Sequence, residues 1–183
     1  MLFTKINTAK TVRVFCLASL LCSFLSTASA EFYQEYTIRS GLTANLAIFT
    51  SWPTVLSKNN NPTINLCLVG TPALEEAFSN LNGKPIAEKQ IQVRYLARLN
   101  NISDCQILYI SDMDKNKLIL LLNDIQNQPI LTIGEDDFFI QNGGMVQLKY
   151  VDGKISIVVN LPAVKRAKLS LSARVLKLAT VFQ

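Results

Sequence analysis

Residues 105–134 read CQILYISDMDKNKLILLLNDIQNQPILTIG, and this stretch decides the fold. It opens with Cys105-Gln106-Ile107-Leu108-Tyr109-Ile110, an apolar run of strand length without alternation, as expected of a strand buried on both faces. Ser111 and Asp112 then offer N-cap side chains. The spacing of Leu118, Leu121, Leu122 and Ile125 predicts a helix over about 114–126 with one apolar face. Pro129 closes that helix, and a second strand, Ile130–Ile133, ends at Gly134. A strand, a helix and a strand in this order form the unit from which parallel sheets are built.

Working outward, the same alternation recurs. Ile64-Asn65-Leu66-Cys67-Leu68-Val69 reads as a strand that turns at Gly70-Thr71-Pro72 into a short helix near 73–80. Asn82-Gly83-Lys84-Pro85 is a turn, and a further strand follows at about 90–95. Ahead of these, Ile38, Leu42, Leu46 and Phe49 form an apolar stripe on a helix over about 34–52, stopped by Pro53. Beyond Gly134, Glu135-Asp136-Asp137 opens a short helix ending near Asn142-Gly143-Gly144. Met145–Val151 and Lys154–Asn160 flank Asp152-Gly153, a strong hairpin signal. Asn160 caps a helix with Pro162 in its first turn. Ser172 starts a terminal helix that turns Val175, Leu178 and Phe182 inward. The predicted fold class is α/β: a mixed, mainly parallel sheet with helices on both faces and a C-terminal antiparallel hairpin at its edge.

The chain has 183 residues, enough for one domain plus a leader. Residues 1–30 carry Lys5, Lys10 and Arg13, an apolar run from Val14 to Leu25, and small residues ending in Ala28-Ser29-Ala30. This is the pattern of a secretory signal peptide cleaved before Glu31. The expected organisation is therefore a leader over 1–30 and a single domain over 31–183. Of 18 basic and 13 acidic side chains, three basic ones belong to the leader, leaving a net charge of +2 on residues 31–183. That balance is too weak for nucleic-acid binding, which needs a dense basic face. With no histidine anywhere, Ser-His-Asp and Cys-His sites and histidine-bearing zinc sites are excluded.

Of the chain's four cysteines, only Cys67 and Cys105 lie beyond the leader, and there is no C-x-x-C pair. Export to an oxidising compartment makes a Cys67–Cys105 disulfide the expectation, provided their strands are neighbours. The alternative is a pair of free, buried small hydrophobes.

Four local signals bear on function. Gly70-Thr71-Pro72 follows a strand and precedes a helix, so its free N–H groups could cradle an anion, with Gly134 at the end of another strand sharing the crevice. It lacks both phosphate-loop fingerprints, so the signal is weak and an ordinary strand-to-helix turn is the preferred reading. Lys165, Arg166 and Lys168 form a basic cluster suited to an acidic partner surface or a small anion, or simply to a solvated helix face. Asp136-Asp137 and Glu75-Glu76 are adjacent pairs that do not face each other on a helix, which argues against paired-carboxylate catalysis or a metal site. Trp52 beside Pro53 reads as core packing, with an exposed binding anchor as the alternative.

Taken in order, these pieces resemble the YfiR-like family of exported regulators. The resemblance is carried by Phe49-Thr50-Ser51-Trp52-Pro53, Cys67-Leu68-Val69-Gly70, the 105–110 strand, Pro129-Ile130-Leu131-Thr132-Ile133-Gly134 and Asn142-Gly143-Gly144-Met145. It continues through Val159-Asn160-Leu161, Leu169-Ser170-Leu171-Ser172 and Leu176-Lys177-Leu178-Ala179, covering nearly all of 31–183. It implies a periplasmic, non-catalytic protein without cofactors. Such a protein would bind the periplasmic sensor domain of an inner-membrane diguanylate cyclase and repress it, lowering cyclic di-GMP and biofilm formation. The resemblance also implies release through an outer-membrane lipoprotein, and Cys67–Cys105 looks like the family's core disulfide. Some relatives carry a second cysteine pair in the later half, which nothing here matches. Self-association into a homodimer stays open. The rival readings are a periplasmic module for a small anion or nucleotide at Gly70, Thr71 and Gly134, and an exported hydrolase, for which no catalytic spacing exists.

Overall fold

Strand β2 (Thr63–Val69) shows why the sheet is covered on both sides. Its successive side chains point to opposite faces. Leu66 and Leu68 enter one apolar core, while Cys67 and Val69 enter another. The computed structural model describes residues 34–53, 62–86, 88–151 and 153–183. The expected leader over 1–30, the cleavage before Glu31, Asp152 and most of the loop at 58–62 lie outside these residues. Tyr36–Gln183 form one compact unit.

Within that unit residues 36–48 are helical (α1). There follow β1 (Thr50–Ser51), β2, α2 (Pro72–Phe78), β3 (Pro85–Ile86), β4 (Lys89–Tyr95), β5 (Ile107–Ile110), α3 (Lys115–Ile125) and β6 (Leu131–Gly134). The chain continues with β7 (Val146–Val151), β8 (Lys154–Asn160), α4 (Leu161–Arg166), β9 (Ser170–Leu171), α5 (Ala173–Leu178) and β10 (Thr180–Phe182). The main sheet has eight strands in the order β10-β8-β7-β6-β5-β2-β4-β3. Only β7–β8 and β3–β4 pair antiparallel. The fold is thus α/β with a mixed, mainly parallel sheet and the hairpin at one margin, as expected, with the three-residue β10 added alongside β8.

Two cores flank the sheet. On one face, Leu46, Leu74, Phe78, Val164 and Val175 of α1, α2, α4 and α5 pack on Leu66, Leu68, Ile107, Tyr109 and Ile133. On the other, Leu118, Leu121, Leu122 and Ile125 of α3 pack on Cys67, Leu108 and Ile110. Cys67 and Cys105 are bonded as a disulfide with Cα atoms 5.8 Å apart, because β2 and β5 are parallel neighbours with Cys67 opposite Leu108.

Several local expectations are corrected. The stripe Ile38-Leu42-Leu46-Phe49 is not the buried face of α1: Ile38 is 49% exposed, and Tyr36, Arg39, Ser40, Thr43, Leu46 and Ala47 face inward. Small hydroxyl side chains let the helix lie close to the sheet, and Arg39 finds a buried counter-ion there. The helix ends at residue 48, before Trp52. Asp114, not Ser111 or Asp112, caps α3, its carboxylate accepting from the Asn116 and Lys117 N–H groups. Residues 136–143 form turns rather than a short helix. The terminal helix stops at Leu178, which is 80% exposed, and Phe182 belongs to β10. Asn160 does cap α4 by accepting from the Ala163 N–H at 3.1 Å.

Candidate functional site

The carboxyl ends of β2, β4, β5 and β6 lie on one rim, since these strands are parallel. From β2 the chain crosses through α2 to β4 on one side, then returns to β5 on the other. The rim between β2 and β5 is therefore a topological switch point, where open α/β sheets form crevices. A cleft of about 370 Å³ opens there, bordered by Gly70, Tyr95, Arg98, Ser111, Asp112 and Lys117 among others. Tyr95 braces it by donating from its hydroxyl to the Gly70 carbonyl at 2.7 Å. Two cations and two carboxylates (Asp112 and Asp114) share its border, so the cleft carries no dominant charge.

Of the residues expected to form a crevice, Gly70 borders this cleft, while Thr71 and Gly134 do not. A Cβ on Gly70 would stand 2.5 Å from the Ser111 carbonyl oxygen, so glycine is what permits β2 and β5 to end this close together. Gly134 is covered by the ring of Phe139, whose other face lies on Gly144. Phe139 is fully buried between the two glycines. The Asn142-Gly143-Gly144 motif thus ends in a packing contact, and the carboxyl end of β6 is plugged.

Beside the cleft, on the α1 side, sits a buried polar cluster that sequence reasoning missed. Arg39 of α1 meets Glu135, just past β6, at 3.1 Å, with the two side chains only 6% and 15% exposed. The Tyr109 hydroxyl donates to Glu135 at 2.7 Å, and the Tyr36 hydroxyl donates to it at 3.2 Å. Tyr36 also shares a 2.8 Å hydrogen bond with the Ser111 hydroxyl. Burial raises the Glu135 pKa, outweighing the pull of Arg39 and of its hydrogen-bond donors. Burial likewise pushes Tyr36 up to about 12, and Tyr109 well above the usual tyrosine range. Four elements converge here: α1, β5, the turn after β5 and the turn after β6. The available signal was the inward spacing of Tyr36, Arg39-Ser40 and Thr43, which an apolar stripe search passes over.

The acidic pair divides. Asp137 reaches out to Lys149 at 2.6 Å, while Asp136 is half-buried and its pKa is raised by burial and by Asp112 and Asp137. Among the described residues no group of three or more histidine, cysteine or acidic side chains could hold a metal ion. Lys165, Arg166 and Lys168 are all exposed at the end of α4, away from the cleft lining, with Arg166 donating to the Gln126 side-chain oxygen at 3.1 Å. Trp52 is partly buried against the core that contains α1. No helix among the described residues is long and apolar enough to cross a membrane.

No curated protein matches the chain. The sequence profile of the YfiR/HmsC-like family matches residues 36–180, nearly the whole of the compact unit described above. With that match spanning most of its length, the chain belongs to the YfiR/HmsC-like family.

Proposed function

We propose that this protein is a periplasmic regulator that binds the periplasmic sensor domain of an inner-membrane diguanylate cyclase and holds the enzyme inactive. Family membership over residues 36–180 carries the reading. The absence of histidine from the chain and the cystine that ties β2 to β5 favour a recognition module over a hydrolase. Repression follows from differential binding: the protein inhibits only by gripping the inactive state of the sensor more tightly than the active one. To move a sensor from mostly active to mostly inactive, that preference must reach roughly 10⁴-fold. An outer-membrane lipoprotein competing for the same protein would release the cyclase.

Crosslinking the tagged protein in intact cells and purifying it from the envelope tests this directly. The expected outcome is a covalent product with a membrane protein that carries a periplasmic domain and a cytoplasmic cyclase domain. Recovery of envelope partners without any cyclase would refute the reading.

The cleft at Gly70 supports a second reading, a small-ligand module. Its volume of about 370 Å³ falls in the range of small-molecule sites. A thermal-shift screen with phosphates, nucleotides and amino acids separates the two, since a ligand raises the melting temperature by mass action. A blank screen removes the second reading and leaves the first intact.

A further inference from the structure

The last stretch of the chain is charged unlike the rest. Residues 161–183 hold five basic side chains (Lys165, Arg166, Lys168, Arg174 and Lys177) and no acidic one. Residues 31–160 hold 10 basic against 13 acidic, so a segment of net +5 follows a body of net −3. All five cations are exposed, and none has an acidic partner among the described residues. They stand on α4, the turn after it and α5, both helices packing their buried sides into the same core. Two large apolar side chains emerge from the same stretch, Leu178 at 80% and Phe182 at 45% exposure.

Two of the cations occupy positions that local structure disfavours. Lys168 sits at φ +59°, the left-handed position after α4 where glycine or asparagine is preferred. The turn is a Schellman closure, with the Leu169 N–H donating to the Val164 carbonyl at 3.0 Å and the Lys168 N–H to the Lys165 carbonyl at 2.9 Å. Arg174 lies in the first turn of α5, where the helix dipole opposes a positive charge. Arg174 does have a folding role, its guanidinium lying 5.9 Å from the centre of the Phe49 ring, whereas no side-chain contact among the described residues accounts for a lysine at 168.

From this juxtaposition we propose that the α4–α5 face adsorbs to an anionic phospholipid surface. The five cations lie at headgroup level and Leu178 with Phe182 reaches into the interface. A lipid surface fits better than an acidic protein for two reasons. Three of the five cations are lysines, a residue depleted at protein interfaces. A side chain as proud as Leu178 would need a matching pocket on a protein partner but none on a bilayer.

The test is co-sedimentation of the protein, purified from the cell envelope so that its natural N-terminus is common to all variants. The vesicles are phosphatidylglycerol mixed with phosphatidylcholine, or phosphatidylcholine alone. Binding is expected to the anionic vesicles only, falling at least about tenfold on going to roughly 0.5 M salt. Each removed cation facing the surface should weaken it about fivefold, so Lys165→Gln with Lys168→Gln loses on the order of 25-fold. Leu178→Ser should weaken binding while leaving its salt dependence unchanged. Lys168→Gly should raise the melting temperature by about 2 °C and still lose affinity, which a merely structural lysine would not do. Equal binding to both vesicle types, or charge variants that bind like the parent, overturns the proposal. So does retention on polyglutamate without any binding to vesicles, which would assign the face to an acidic protein.

Discussion

At the scale of single residues, three glycines and one ion pair carry clear consequences. Phe139 lies flat between Gly134 and Gly144, and a Cβ at either would overlap the ring. Gly144→Ala should therefore destabilise the protein by about 1–3 kcal/mol through overpacking. Gly41 is the opposite case: it is an exposed residue of α1 with nothing within 4 Å of a Cβ. Gly41→Ala should stabilise by about 0.5–1 kcal/mol on helix propensity alone. Urea unfolding of the two variants checks the pair, and the same sign for both would contradict the packing argument. Glu135→Ala removes a buried counter-ion from Arg39 and an acceptor from Tyr109, an expected loss of about 3–5 kcal/mol. Replacing Arg39 and Glu135 together by methionine should recover the part of that loss due to the unpaired buried charge, but not the part due to the Tyr109 hydroxyl left without its acceptor.

At the scale of elements, α1 is held to the sheet by a polar face whose hydroxyl groups titrate late. The Tyr36 pKa is about 12 in the folded protein against 10.0 in the unfolded chain. The folded state keeps its proton longer, so this stabilisation is full below pH 10 and is lost as pH rises from 10 towards 12. Over that window it amounts to about 2–3 kcal/mol, and Tyr109 adds to it in the same direction. Thermal melts from pH 8 to about 12 should fall steeply above pH 10, and Tyr36→Phe should flatten part of the fall. A profile that the substitution leaves unchanged would detach Tyr36 from the docking of α1.

The elements differ in how far the sequence discloses them. Strands β2, β5 and β6 and helix α3 announce themselves, because apolar runs and a leucine face are one-body signals. The inward face of α1 does not, since a buried Arg39 needs the counter-ion Glu135, almost a hundred residues later. Pairing across the fold outranks periodicity along the helix. The same holds for β10, whose three residues read as the end of a helix until β8 is present to pair with them. The cleft at Gly70 was legible from the strand–glycine–helix order, while the plug at Gly134 depended on where Phe139 comes to rest.

For the whole molecule, the cystine ties two neighbouring strands of the eight-stranded sheet together. The Cys67–Cys105 bond spans 38 residues, and constraining a loop of that length in the unfolded chain contributes about 4 kcal/mol. Cys105→Ser should therefore lower stability by about that amount and relieve repression of the cyclase in cells. An unchanged melting temperature with unchanged cyclic di-GMP would count against both roles of the bond. The switch-point cleft and the α1 docking cluster meet at Ser111, which borders the first and hydrogen-bonds Tyr36 of the second. The claim on which the account rests is repression. Cyclic di-GMP measured in cells lacking this protein should rise several-fold and return to the parental level when the gene product is restored to the periplasm; an unaltered level in its absence would contradict it.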